Sequence, residues 1–404
     1  MDGQTRNNIA LVSKKLYAKE KMVRDYYSLY DRIVPNKKIL EIDVNYKHSS
    51  TGQIVYDIYS ASEKYNKEVA VCYGRGKLYR EKNVFKFGID IETYMHAVLS
   101  RVTGYNGCFS FFSTKRLIKY IEDFQPDIIH IHELHAYFVN IKPLINYIKQ
   151  SKIPLVWTFH CEYMYTGKCG YAYECTQFQT SCCNCPAIKQ YPKSLFFDRT
   201  KQMYAMKYNL LSNMDFTITT PSKWLEDRVK LSFLKEKPIN TIWNGVDTTT
   251  FFPRVEEALD LKKKLMIKNE KTVLFVAPDV SDYRKGAHWV VKLAWELIKE
   301  NIIFIMVGGG TYKGDYPSNV KYVGKVLDKR LLAAYYSMSD AYVICSERET
   351  YSMTCAEALC CGTPVVGFKS GAPETVFQGE YVQFVPYGDL TMLRNALTNT
   401  LERD

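Results

Sequence analysis

At 404 residues the chain is too long for one ordinary hydrophobic core, so about two domains are expected, and 47% hydrophobic against 24% charged residues excludes a largely disordered chain. The 54 Lys and Arg against 43 Asp and Glu leave a formal charge of +11, which favours anionic partners such as phosphorylated substrates, acidic membrane surfaces or nucleic acid. No apolar run approaches the roughly 20 residues that cross a bilayer, and the opening MDGQTRNNIA has no signal-peptide core, so a cytoplasmic location is expected.

Residues 1–37 place Leu11, Leu16, Met22, Tyr26, Tyr27 and Tyr30 at helical intervals among many Lys and Arg. They read as one or two amphipathic helices, packed on a domain or a partner or laid on an anionic membrane. From Lys38 strands alternate with helices: strands at 39–44, 68–73, 127–131, 154–159, 216–219 and 239–243, and a helix opened by Gly52 and running to about Tyr65. This alternation indicates βαβ units and a parallel sheet. Ser49-Ser50-Thr51-Gly52 stands at a strand-to-helix turn, where a glycine admits a ligand to the backbone and a helix N-terminus favours an anion.

HIHELH, His130 to His135, follows one strand and His160 ends another. His130 and His132 share a strand face, a pattern open to metal ligation, acceptor recognition or packing. Six of the twelve cysteines crowd between Cys161 and Cys185. In a chain of this size they are expected reduced or on metal. Cys169, Cys175, Cys182 and Cys185 could form a tetrahedral thiolate set for a structural zinc, against the alternative of a reduced or redox-variable loop.

Asn244-Gly245-Val246-Asp247 with Phe251-Phe252-Pro253 reads as a turn and linker, giving a helical extension at 1–37, a first domain at 38–245 with a Cys-rich insertion at 161–195, and a second domain at 246–404. Strands are expected in the second at 272–277, 302–307, 321–323, 341–345 and 364–368, with helices at 286–300, 328–338, 353–361 and 393–401. Arg284-Lys285-Gly286 lies between its first strand and helix, where a lysine would meet a developing negative charge. Gly308-Gly309-Gly310 follows the next strand.

The stretch CSERETYSMTCAEALCCGTPVVGFKSGAPETV, Cys345 to Val376, places Glu349 in a loop and Glu357 in the second turn of a helix. Between them the unpaired N–H groups of Tyr351, Ser352, Met353 and Thr354 make an anion-binding floor. Carboxylates accept from sugar hydroxyls and N–H groups hold phosphate, so the arrangement suits a nucleotide sugar.

Glu349, Glu357 and the run Glu357 to Val366 closely resemble the Glu-x7-Glu motif of retaining GT-B glycosyltransferases (family 4, group 1), and the resemblance covers about residues 38–395. It implies an α/β GT-B fold, two Rossmann-like domains facing across a cleft, and transfer of a sugar from a nucleotide-diphosphate donor to a glycan or lipid-linked acceptor. By the same resemblance Glu349 faces the transferred sugar, Glu357 binds the ribose, His160 touches the reacting sugar, and Lys285, with Arg284 standing in for an arginine replaced here by Val280, meets the leaving diphosphate. The loop at Gly52 closes over the donor phosphates and the turn at Gly309 shapes the backbone near the nucleotide. Where the family has Asp after the histidine, this chain has Cys161.

The Cys-rich insertion, ending in Cys185-Pro186 and Tyr191 to Ser194, resembles the colanic-acid-type branch, which implies bacterial surface polysaccharide synthesis. No catalytic metal is expected, and a location peripheral to the inner face of the membrane is consistent with such acceptors. The family continues past the helix at 393–401 with a tail returning to the first domain, whereas this sequence stops at Asp404. Two alternatives are a GT-B nucleotide-sugar epimerase and a non-catalytic zinc- and nucleic-acid-binding protein. The latter is not favoured, for no module interleaves clustered Arg and Lys with aromatics.

Overall fold

The computed structural model describes residues 3–35 and 38–403; positions 1, 2, 36, 37 and 404 of the expected spans lie outside the described residues. The chain folds as two units, Met22–Trp243, and Met1–Lys21 together with Asn244–Asp404. The first unit holds β1 (Lys38–Asp43), β2 (Glu68–Tyr73), β3 (Val84–Lys86), β4 (Ile128–Ile131), β5 (Leu155–Thr158), β6 (Thr217–Thr220) and β7 (Ile239–Thr241) in the order β3-β2-β1-β4-β5-β6-β7. The second holds β8 (Lys271–Asp279), β9 (Ile302–Gly309), β10 (Val320–Gly324), β11 (Ala341–Ile344), β12 (Val365–Phe368) and β13 (Val382–Val385) in the order β10-β9-β8-β11-β12-β13. Every pairing is parallel.

Beyond its first residue β1 is buried throughout, as is β2, and β4, β5, β11 and β12 are buried at every position. Helices cover both faces of such a sheet, which is why these strands read as continuous apolar runs. Within each unit the chemistry-bearing loops leave the carboxyl ends of the strands, the end at which parallel sheets bind ligands. Two edge strands escape the sequence pattern: β3 has only part-buried residues and β13 has one buried residue. The helix expected from Gly52 to Tyr65 is a helix Ser49–Ser60 followed by a single 3-10 turn, Glu63–Tyr65.

The N-terminal extension is two helices, Gly3–Tyr17 and Lys19–Ile33, and it is shared between the units. Residues 22–33 bury Met22, Val23, Tyr26, Tyr27, Leu29 and Tyr30 with Ile39, Ile54, Ile58 and Val69 of the first unit. At roughly 1.5–3 kcal/mol for each large apolar side chain removed from water, this face is core. Gly3–Tyr17 instead packs on the helix Met353–Cys360 of the second unit. Its Arg6 donates to the Ser339 carbonyl at 2.8 Å, and the Tyr17 ring rests 5.2 Å from that of Phe377. Leu11 and Leu16, read with the others as one face, stay exposed.

Candidate active site

In the second unit β11 leads through a loop into the helix Met353–Cys360, whose first turn is capped by Ser352 Oγ accepting from the Cys355 N–H. Ser352 holds φ at +91°, a conformation costing on the order of 1–3 kcal/mol in a non-glycine residue. It is the hinge between the Glu349 loop and the helix. The N–H groups of the helix's first turn have no partner within the helix ladder and carry its positive dipole end. Tyr351 and Ser352 lead into this turn, and Met353 and Thr354 open it.

Glu349 is pinned on both sides by backbone bonds: its N–H donates to the Ser370 carbonyl at 2.8 Å and its carbonyl accepts from the Ala372 N–H at 3.1 Å. Its carboxylate Oε1 receives Lys285 Nζ at 2.6 Å. Lys285 ends a single 3-10 turn, Tyr283–Lys285, after β8, and Gly286 follows at φ +78°. A Cβ at Gly286 would lie 2.1 Å from the Cys345 carbonyl oxygen, so the close approach of the two loops requires glycine there. Arg284 lies beside Lys285 in sequence, but its guanidinium is paired with Asp282 at 2.6 Å. The structure thus joins Lys285 to Glu349 and pairs Arg284 with Asp282.

Glu357 lies one helical turn further on and accepts from Tyr336 OH at 3.1 Å. Burial pushes its carboxyl up to about 7, the Tyr336 bond opposing this only in part. Gly309 closes β9, its carbonyl accepting from the Val280 N–H at 2.8 Å, and Tyr322 OH bridges the Gly308 and Gly310 carbonyls, each at 2.9 Å. That turn presents backbone.

In the first unit Gly52 sits in the first turn of Ser49–Ser60, and its N–H donates to Ser49 Oγ at 3.3 Å. A Cβ on it would stand 3.0 Å from the Asn45 carbonyl group, and Thr51 ties the turn to the buried Asp43 carboxylate at 2.9 Å. His160 follows β5, and its ring lies nearly parallel to that of His132, with Nε2 3.1 Å from His132 Nδ1. Behind them Glu41, fully buried on β1 opposite His130, accepts at Oε2 from His132 Nε2 and at Oε1 from Tyr30 OH, each at 2.9 Å, while His130 Nδ1 lies 2.9 Å from Oε2 and is hydrogen-bonded to Tyr30 OH at 2.6 Å. Burial alone would raise the Glu41 carboxyl; His130 and His132 outweigh it and hold it at about 2.

These contacts fix tautomers. His132 donates from Nε2 to an ionised carboxylate, and burial, with His130 beside it, keeps its own pKa low. Its Nδ1 is therefore an acceptor, and the proton of the His132–His160 bond belongs to His160 Nε2. Burial and the neighbouring His132 and His130 also push the His160 pKa well down, so its ring is neutral at pH 7 with Nδ1 as its acceptor nitrogen.

Among the described residues two sets of ligand-type atoms lie within 4.8 Å of one another: Glu41, His130 and His132, and Glu133, His135 and Cys161. The first is closed as a hydrogen-bond network: His132 donates to the carboxylate, and His130 is held between Tyr30 OH at 2.6 Å and Thr158 Oγ1 at 2.7 Å. In the second, His135 Nε2 lies 2.9 Å from Glu133, with the Cys161 sulfur 3.5 Å from the same carboxylate. The expected zinc set is not gathered in this way. The Cys169 and Cys185 thiols perturb each other's ionisation, raising Cys169 and lowering Cys185 to about 6, and Cys182 accepts from the Gly167 N–H at 3.1 Å. No three of the four sulfurs fall within 4.8 Å of one another.

Sequence reasoning missed Glu41, Tyr30 and Tyr336. An acid set between Leu40 and Ile42 in the middle of a strand, as in KILEID, was the available signal for the first.

Residues 54–250 match the Glycosyltransferase Family 4 domain, and residues 270–403 match the domain described as glycosyl transferases group 1. The chain belongs to these GT-B-fold glycosyltransferases. It is 28% identical over 263 residues to the putative colanic acid biosynthesis glycosyl transferase WcaC of Escherichia coli K12, a match spanning 63% of this chain and 62% of that relative. The catalytic domain of starch synthase IV from Arabidopsis thaliana, bound to ADP and acarbose, shares the fold with a TM-score of 0.63 at 15% identity, covering 91% of this chain and 93% of that one. HepE of Anabaena, in complex with UDP, shares it with a TM-score of 0.57 at 14% identity, covering 90% of each chain.

Proposed function

We propose that this chain transfers a hexose from a nucleotide-diphosphate sugar to a glycan or lipid-linked acceptor, with retention of anomeric configuration, in surface polysaccharide synthesis. The observation that carries the reading is the Lys285–Glu349 pair at 2.6 Å, set at the open N-terminus of Met353–Cys360 with Glu357 one turn behind. A cation, a set of aligned N–H groups and a second carboxylate are the parts that a diphosphate flanked by two hydroxylated rings requires. Lys285 neutralises the departing diphosphate, Glu349 faces the sugar and Glu357 accepts from the ribose hydroxyls. The bond from C1 to the diphosphate oxygen breaks as the acceptor oxygen bonds to C1 on the same face, and the acceptor proton passes to the leaving phosphate. These donor contacts come from the protein's own cations and helix N-terminus, so no metal is assigned to the step. The names of the relatives agree with this direction: colanic acid synthesis for one, bound UDP and ADP for two others.

Thermal shift against a panel of nucleotide sugars tests donor binding, since a ligand raises the melting temperature as it occupies the native state. A shift with one base and sugar is expected, abolished in Glu357→Ala; a folded protein that responds to no donor contradicts the reading. Donor consumption without an acceptor would indicate an epimerase.

Binding should also depend on pH. Glu357 is raised to about 7 in the ligand-free protein, while only the carboxylate accepts from both ribose hydroxyls. Donor affinity is therefore expected to rise with pH up to about 7 and to level off above it, by as much as roughly tenfold per unit on the rising limb. Titration calorimetry across pH 5.5 to 8.5 measures this, and Glu357→Gln should flatten the profile.

A further inference from the structure

The helix Asp90–Thr103 of the first unit is built inside out. Its buried residues are Thr93, His96 and Ser100, and Thr93 Oγ1, His96 Nε2 and Ser100 Oγ are buried without a partner. Its outward stripe is Ile91, Tyr94, Met95, Val98, Leu99 and Val102, each 38–70% exposed. A surface helix ordinarily turns such a stripe to the core, and a contiguous apolar patch in water marks an interaction site.

Two segments widen the face. Phe111 and Phe112 are brought to its first turn by the Phe112 and Ser113 N–H groups, which donate to Glu92 at 2.8 Å each. Leu195 to Phe197 are laid on its last turn by the Leu195 N–H donating to the Arg101 carbonyl at 2.7 Å. These five side chains are 48–71% exposed.

Beside the face opens a cavity of about 670 Å³, lined by Arg75, Arg101, Asp90, Thr93, Tyr137 and Tyr191, with Tyr94 shared between cavity and face. Asp90 is held by Lys86 Nζ at 2.8 Å, which leaves the two arginines to set the sign of the cavity. Tyr137 OH, like Thr93 Oγ1, is buried without a partner, and both residues are only 7% exposed. Two guanidinium groups and two unpartnered hydroxyls line this cavity, and these are the groups that bond a phosphate. Lys193 and Arg199 flank the Leu195–Phe197 segment, Arg199 lying 5.4 Å from the Phe197 ring.

We propose that this surface docks on an anionic bilayer, the helix face and its two aromatic flanks lying in the interfacial layer while the cavity receives a lipid phosphate between Arg75, Arg101 and Tyr137. The argument is one of joint complementarity. A second copy of the chain could cover the apolar face but would leave the cationic cavity without an anion, whereas an acidic phospholipid supplies both parts. The proposal is independent of the sugar-transfer reading, and it sets the membrane contact on this helix instead of the N-terminal pair.

Co-sedimentation of the full chain with vesicles of phosphatidylcholine alone, or mixed with phosphatidylglycerol, tests it. Binding to the mixed vesicles is expected. Met95→Glu/Val98→Glu, both at exposed positions and checked by an unchanged melting temperature, should lower it more than tenfold. Arg101→Gln should lower it on the order of fivefold, and Tyr137→Phe should reduce the preference for acidic vesicles while leaving residual binding to phosphatidylcholine unchanged. Full binding by the double Glu variant overturns the proposal, as does loss of binding in Lys14→Glu/Lys15→Glu alone. A solution dimer that the double variant dissociates would assign the face to a second copy. Stabilisation by inorganic phosphate with no vesicle binding would assign the cavity to free phosphate. Either result rejects the bilayer.

Discussion

Replacing Lys285 by Ala is expected to leave the protein folded and to lower turnover of its nucleotide sugar on the order of a hundred- to a thousandfold, with a smaller change in donor affinity. The ammonium stands 2.6 Å from Glu349 and at the N-terminus of Met353–Cys360, where the departing diphosphate gains charge. Removing a preorganised donor from such a place costs about 2.7–4 kcal/mol in the transition state. A surface ion pair with no further role is worth at most about 1 kcal/mol, roughly fivefold. The two effects differ enough for steady-state kinetics to separate them. Arg284→Ala supplies the internal control: with its guanidinium on Asp282, it should cost less than tenfold. A Lys285→Ala enzyme within fivefold of the parent would remove this lysine from the chemistry.

The second large effect is on stability. Glu41→Ala removes the carboxylate that accepts from His132 and Tyr30 and faces His130 inside the first unit. Breaking a buried charged network by deleting one partner costs about 3–5 kcal/mol, which for a unit of this size lowers the melting temperature by roughly 10 °C. The pH dependence has a definite sign. The carboxyl is held at about 2 in the folded protein against an ordinary value near 4.3, so its contribution is complete above about pH 5 and is lost as pH falls towards 2. Glu41→Gln keeps the shape and should fall between parent and Ala. The same substitution should disturb the Nε2–H tautomer of His160, which nitrogen-15 spectra of the imidazoles report directly. A melting temperature unchanged at pH 7 and weakened by acid as in the parent would show that the network carries no stability.

The Glu349–Lys285 set of the second unit and the His160 set of the first were unequally legible. Glu349, Glu357 and the lysine turn are carried by short segments whose spacing is local: a strand end, a capped helix and a glycine that allows close approach. Those features survive in one dimension. The His132–Glu41 support of His160 is made by register between β1, β4 and β5, which lie far apart in sequence, and the acid in β1 has meaning only when His130 is set opposite it. Tyr336 reaches Glu357 from a neighbouring helix for the same reason.

Patterns that do not state which side is inside were read less well. Met22, Tyr26, Tyr27 and Tyr30 form a stripe that does go to the core. Ile91, Tyr94, Met95, Val98, Leu99 and Val102 form one just as regular that faces outward. Periodicity gives a face and leaves its partner unspecified. The edge strands β3 and β13, short and partly exposed, have too few residues for a period to show.

The central claim is a sugar transfer with retention, and the most direct measurement is the anomeric configuration of the product. The chain is incubated with an α-configured nucleotide sugar identified by thermal shift and with candidate glycan and lipid-linked acceptors, and the new linkage is read from its proton coupling. Release of nucleoside diphosphate that requires acceptor, with an α-linked product, is the predicted result. A β-linked product, or no donor consumption by a protein shown to be folded, would contradict it.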